Sequence, residues 1–180
     1  MPDLDPGDPI DAIAIAWTRE RPNTPVDSIP IVTRIAHVAK LFGDDRTRLL
    51  RQSGTDSATL DLLSTLRRSG PPYRLGTREL ASTALITAGA ITQRVDRAQQ
   101  QGLVTRNPRA DGSRQVDVEL TESGHRTVER LVDEVLGREA ELLANLTGRE
   151  KQQLQLLLGR LLEGLHDALG SDRRPPHVGR

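Results

Sequence analysis

The stretch at residues 91–106, ITQRVDRAQQQGLVTR, decides how this chain is read. It is rich in Arg and Gln and ends on a glycine followed by Leu-Val. Wound as a helix at about 100° per residue, it gathers Ala88, Ile91, Val95 and Ala98 into one apolar stripe. Gln93, Arg97 and Gln100 point away from that stripe, and Arg94 falls at its edge. Gly102 suits the left-handed residue that closes a helix, a geometry that costs glycine little. An ordinary amphipathic surface helix has the same pattern, so the flanking sequence has to discriminate.

Upstream, residues 77–82 predict a short helix, and the quoted helix starts near Thr87. Two helices across a tight turn, the second bearing Arg and Gln, make a helix-turn-helix candidate. Downstream, residues 103–107 predict a strand, and 108–113 a turn containing Asp111-Gly112. Residues 115–120 alternate, with Val116, Val118 and Leu120 on one side and Gln115, Asp117 and Glu119 on the other, which predicts a half-buried strand. The two strands form a β-hairpin directly after the helix, a wing.

The outer parts are helical. Asp8-Pro9 is an N-cap followed by proline at the first helical position. Ile10, Ile13, Ala14 and Trp17 then share one face. Pro22 and Pro25 end that helix, and a longer one begins at Ser28, its apolar face running Ile31, Ile35, Val38, Phe42 and Leu49. Gly54 closes it. Thr55 or Asp56 caps a third helix with Leu60, Leu63 and Leu66 inward. Thr121 caps a helix reaching about Asn145, and the TGRE at 147–150 is a capping box. The last helix carries Leu154, Leu158, Leu161, Leu165 and Leu169 on one face, with Leu157 and Leu162 beside it. That stripe either packs within the monomer or, as its width and continuity favour, joins two copies. The tail at 171–180, SDRRPPHVGR, is expected to be disordered.

Composition bounds the function. The chain has 180 residues, 25 Lys and Arg against 25 Asp and Glu, and no cysteine. Disulfides and thiolate zinc sites are excluded, and with Trp17, Phe42 and Tyr73 as the only aromatics the core must be aliphatic. A neutral net charge gives no bulk support for nucleic-acid binding, but Arg94, Arg97, Arg106, Arg109 and Arg114 face only Asp96 and Asp111 within that segment. The apolar runs are too short to span a bilayer, and the acidic start MPDLDPGDP is unlike a signal peptide, so a cytoplasmic protein is expected. His37, His125, His166 and His177 are scattered without metal-ligand spacing. Neither metal nor cofactor is expected, and the absence of a nucleophile elbow, P-loop or dinucleotide fingerprint argues against an enzyme.

TRELA at 77–81, RVDRAQQQGLVTR at 94–106, DGSRQVDVELTESG at 111–124 and two long closing helices resemble the MarR (multiple-antibiotic-resistance regulator) family over about residues 28–170. One departure is that Gly112-Ser113 separates Asp111 from the wing-tip Arg114. The resemblance implies a mainly α fold with a small β wing (α+β), a winged helix-turn-helix between dimerisation helices. It divides the chain into an N-terminal extension helix at 1–25 carrying Trp17, a dimerisation helix at 26–54, a DNA-binding region at 55–120, C-terminal dimerisation helices at 121–170 and the tail. Implied partners are a double-stranded operator and a second copy of the chain. Arg pairs with guanine and Gln with adenine in the major groove. Gln93 and Arg97 are then the best readers, with Thr87 and Gln100 nearer the rim. Arg114 suits the minor groove, and Arg109 meets phosphate.

A narrower resemblance concerns the urate-responsive branch of that family, which has an extra N-terminal helix with a Trp. This chain has Trp17, then Asp61 in TLDLL, Arg94 in QRVDR and Arg106 in LVTR. The resemblance implies that Trp17 and Arg106 hold a small anionic ligand such as urate, that Asp61 senses its charge and that Arg94 relays the change. Each residue also has a plain structural role open to it. Trp17 could pin its helix, Arg106 could contact phosphate, Arg94 could bridge helices, and Asp61 projects away from the leucines and is solvated unless another element covers it. The resulting expectation is a homodimeric, ligand-responsive repressor. Alternatives are a regulator answering a phenolic compound or antibiotic, and an effector-independent architectural DNA-binding protein.

Overall fold

A computed structural model describes residues 4–83, 88–109 and 116–170. The described chain is mainly helical, with a three-stranded antiparallel sheet. It falls into two compact units, residues 1–46 and 47–180.

The first unit holds α1 (Pro9–Glu20) and most of α2 (Ile29–Gln52). Asp8 caps α1 as expected, its carboxylate accepting from the Ile10 and Asp11 N–H groups. The roll of α1 differs from the expected one. Ala14 is buried, but so is Asp11, whereas Ile13 and Trp17 are exposed, Trp17 at 48%. The cause is Arg34 on α2, whose guanidinium lies 2.9 Å from Asp8 and 2.8 Å from Asp11. Two charge-assisted hydrogen bonds to one planar donor outweigh the burial of a wider apolar face. On α2, Ile31, Ile35 and Val38 are exposed, joined by Val32 and Leu41, and only Leu50 is fully buried.

The second unit is built on α3 (Ser57–Arg68). Asp56 is its N-cap, accepting from the Thr59 N–H. Leu60, Leu63 and Leu66 point inward as expected, and Leu62 joins them. They pack with Leu80 of α4 (Thr77–Thr83), Ile91, Val95 and Ala98 of α5 (Ala88–Gln100), Val104, Val118 and Leu120 of the sheet, and Val128, Leu131 and Val135 of α6 (Glu122–Leu142). Burying an aliphatic side chain of this size stabilises by about 1.5–3 kcal/mol, so α5 is held by its stripe and presents its other side outward.

The wing is larger than a hairpin. β2 (Val104–Pro108) pairs with β3 (Val116–Leu120), and a third strand, β1 (Arg74–Gly76), adds to the far edge of β3. The three residues of β1 are too few to show alternation. β1 is fixed instead by its surroundings. The Leu120 N–H donates to the Tyr73 carbonyl at 3.3 Å. The Tyr73 ring meets His125 edge-on and lies under the Arg67 guanidinium, each at 4.7 Å. These contacts hold Tyr73 at φ 62°, a left-handed conformation that bulky residues avoid.

Thr121 caps α6, and Thr147 and Glu150 form the expected capping box of α7 (Gly148–Leu169). α6 stops at Leu142, a little short of the expected end. Every residue of α7 is exposed except His166, which is half-buried, so its leucines are not packed within the chain. Among the described residues no helix is long and apolar enough to cross a membrane. The tail at 171–180 lies outside the described residues.

Candidate nucleic-acid interface

α4 and α5 sit side by side, and α5 leads through Gly102 into β2. Gly102 has φ 69°, so the helix closes in the left-handed residue that only glycine adopts cheaply. The junction is then locked to α6. The Thr121 N–H donates to the Leu103 carbonyl at 3.1 Å, and its hydroxyl donates to the Gly102 carbonyl at 2.7 Å. Gly124 comes closer still. A Cβ on Gly124 would lie 2.0 Å from the Leu103 carbonyl oxygen, far inside van der Waals contact. This is the physical reason for the glycine that closes LTESG.

On the outward side of α5, Gln93, Arg97 and Gln100 are all exposed. Arg97 is not loose, since its Nη1 lies 2.7 Å from Oδ2 of Asp56, the N-cap of α3. Burial pushes the Asp56 carboxyl up, but the Thr59 N–H and Arg97 outweigh that and hold it below the ordinary range. Arg109 braces the base of the wing, with Nε 2.7 Å from Asp117 and Nη2 3.3 Å from Glu79. Glu79 also accepts from the Gly76 N–H at 2.7 Å, closing the first turn of α4. Thr87 and Arg114, also expected to meet DNA, lie outside the described residues.

A second set of charges lies beneath α5. Arg94 reaches Asp61 of α3 at 3.8 Å, with side-chain exposures of 23% and 12%. Asp61 is therefore covered rather than solvated. Arg94 Nη1 is buried and makes no hydrogen bond with a described residue. Arg106 of β2 pairs with Asp96 of α5 at 2.5 Å and donates to the Thr92 carbonyl at 3.3 Å. The structure thus joins Asp61 to Arg94, and ties Arg106 to the same helix through Asp96. Trp17 belongs to the N-terminal unit and is half exposed there.

The carboxylates that complete these pairs, Asp56, Asp96, Glu79 and Asp117, were not singled out from the sequence. Only the Asp96-Arg97 adjacency and the cap position of Asp56 hinted at a role.

A short apolar-striped helix that follows another helix and leads into an antiparallel sheet is the architecture of a DNA-reading winged helix. Comparison with known proteins agrees. Residues 53–115 match the model of the MarR family. The chain is 29% identical over 145 residues to the HTH-type transcriptional regulator PecS of Dickeya dadantii, covering 81% of this chain and 87% of that protein. This chain is similar to MarR-family regulators and has their winged-helix fold. Apo MarR from E. coli superposes with a TM-score of 0.60 at 26% identity, covering 72% of this chain and 95% of MarR. MarR from E. coli complexed with operator DNA gives 0.60 at 24%, covering 81% and 97%. AbsC from Streptomyces coelicolor gives 0.67 at 17%, covering 81% and 99%.

Proposed function

We propose that this chain is a homodimeric MarR-type repressor that binds a pseudo-palindromic operator and is released by a small anionic ligand, urate or a related purine. Two identical reading helices related by a two-fold axis call for a two-fold operator. In support of the dimer, α7 exposes Leu154, Leu158, Leu161, Leu165 and Leu169 along its length, and α2 exposes Ile31, Ile35 and Val38. Apolar surface on that scale marks an interaction face. In support of DNA contact, Gln93, Arg97 and Gln100 share the exposed side of α5, with Arg109 at the wing base and Thr87 and Arg114 assigned from the sequence.

The observation that carries the ligand reading is Arg94. A guanidinium nitrogen buried without a hydrogen bond is costly to leave unmatched, and Asp61 at 3.8 Å is too far to supply one. A ligand oxygen at this nitrogen would satisfy it and would bring a negative charge to Asp61. Arg106 is paired with Asp96 of α5, so a ligand anion at Arg106 competes with that pair. Trp17 is assigned to the ligand from the sequence resemblance alone.

A thermal-shift screen of the isolated protein with urate, xanthine and salicylate tests this, since a binder of the native state raises the melting temperature. A rise with urate or xanthine supports the purine reading. A rise with salicylate alone moves the assignment to phenolic effectors, and no rise at millimolar concentrations removes the ligand from the proposal.

A further inference from the structure

Arg97 stands on the outward side of the reading helix, where its charge is placed to meet DNA. In the DNA-free protein it is already held by a carboxylate, Asp56, at 2.7 Å. The two partners are each about half exposed, 59% and 47% for their side chains. An exposed pair of this kind adds little to stability, because water and salt screen it. Stability alone therefore does not account for it.

Asp56 has a separate task that explains only half of its carboxylate. Oδ1 accepts the Thr59 N–H at 2.8 Å and caps α3. Asn caps a helix about as well as Asp does, so the cap does not require the charge. The charge on Oδ2 is directed at Arg97. The inner pair between the same helices, Asp61 with Arg94, is more buried and longer at 3.8 Å. The outer pair is the shorter and the more accessible, open to exchange with an external anion.

We propose that Asp56 is a specificity-determining residue that acts as an internal stand-in for a DNA phosphate. It occupies Arg97 in the free protein and sets a negative charge beside the reading helix. A duplex must take Arg97 from Asp56 before it gains that contact. Away from the operator Arg97 finds phosphates, which any sequence offers, so the exchange weakens binding to all DNA, whereas the operator also offers it a base to read. Only a site that also satisfies the base-reading side chains recovers the loss. Discrimination is sharpened by lowering the non-specific background, without a base contact from Asp56 itself. The proposal rests on DNA binding through α5.

The test uses the full chain and a mixed-sequence 30-base-pair duplex, for which no operator is needed. Affinity is measured against salt for wild type, Asp56→Asn, Arg97→Ala and the double variant. Asn keeps the cap, and equal melting temperatures for wild type and Asp56→Asn verify this. The expected result for Asp56→Asn is at least threefold tighter binding, with a log–log salt slope steeper by about 0.9 per bound protomer, the value for one added phosphate contact. In the Arg97→Ala background the same change should gain less than twofold and leave the slope unaltered. Equal gains in both backgrounds would overturn the exchange, because Asp56 would then act through charge alone. Unchanged or weaker binding by Asp56→Asn would make the pair a brace. If wild type fails to bind duplex even at low salt, α5 is not a DNA-reading helix, and the larger reading fails together with this one.

Discussion

Asp61 on α3 and Arg94 on α5 face each other, Arg94 Nη1 lying 3.8 Å from Asp61 Oδ2, with both side chains largely covered. The two helices thus share a covered charge pair in which Arg94 Nη1 makes no hydrogen bond with a described residue. A negative ligand charge placed there repels Asp61 under weak screening. We predict that Asp61→Asn keeps DNA binding and ligand binding but needs a higher urate concentration to release the operator. Titrating urate into protein–operator complexes at fixed salt decides it, and release at the wild-type concentration rules out the charge-repulsion switch.

Arg97→Ala should weaken operator binding and relax sequence preference by about 1–3 kcal/mol at the base it contacts. Competition gels against random duplex measure this. An equal loss on operator and random DNA makes Arg97 a phosphate contact only.

Gly124→Ala should be among the most destabilising single changes in the chain. A Cβ 2.0 Å from the Leu103 carbonyl oxygen meets backbone, which has no rotamer by which to withdraw. Overpacking in tight sites costs about 1–3 kcal/mol, and the upper end is expected. Urea denaturation should show a lower midpoint at unchanged slope. A midpoint within error of wild type would mean that α6 moves away freely.

Leu158→Glu combined with Leu165→Glu should convert the protein from twice the 19.8 kDa chain mass to a single chain by light scattering. Both leucines are exposed on α7, so the monomer itself loses no core packing. A wild-type monomer at micromolar concentration would refute the dimer.

The Arg34 clamp gives α1 a pH dependence of definite sign. Asp8 is held below the ordinary carboxylate range by the N–H groups of Asp11 and Ile10, with Arg34 adding to them. Asp11 is held down by Arg34 first and by the Asp5 N–H second. Depressed carboxylates stabilise fully above the ordinary value of about 3.9 and lose that contribution as pH falls through the depressed values. The anisotropy of Trp17, the single tryptophan, should hold steady from pH 7 to about 5 and drop below about 4. Arg34→Gln should show the low value already at pH 7, and anisotropy independent of both would place the anchor of α1 elsewhere.

Deleting residues 1–24 should leave a folded, DNA-binding protein without ligand response. Trp17 lies in the deleted part, and the winged helix lies wholly in the second unit. Size-exclusion chromatography, gel shift and urate titration together separate this from loss of folding.

The winged helix was legible because its signals are local. The stripe Ile91, Val95 and Ala98, the stop at Gly102 and the alternation of Val116, Val118 and Leu120 each lie within one element. β1 was missed because three residues carry no period. The roll of α1 was misjudged because Asp11 is buried by Arg34, 23 positions away, and no periodicity in α1 records that. Arg97 and Arg109 were assigned to DNA and Arg106 to a ligand, but their carboxylate partners were not anticipated, since pairing depends on which elements meet. Of the two readings of the α7 leucines, packing within the chain is excluded by their exposure. Thr87 and Arg114 lie beyond the described residues, and their roles rest on sequence.

The weld at Leu103 has a mechanical consequence. Thr121 and Gly124 bolt the start of α6 to the end of the reading helix, so the two move as one piece. α6 is 21 residues, about 31 Å of rigid rod at 1.5 Å per residue. A tilt of only about 5° at its far end swings the bolted end through about 3 Å, close to the roughly 3.4 Å between neighbouring bases on a strand. A packing change at the far end of α6 would thus shift the end of α5 by about one base step.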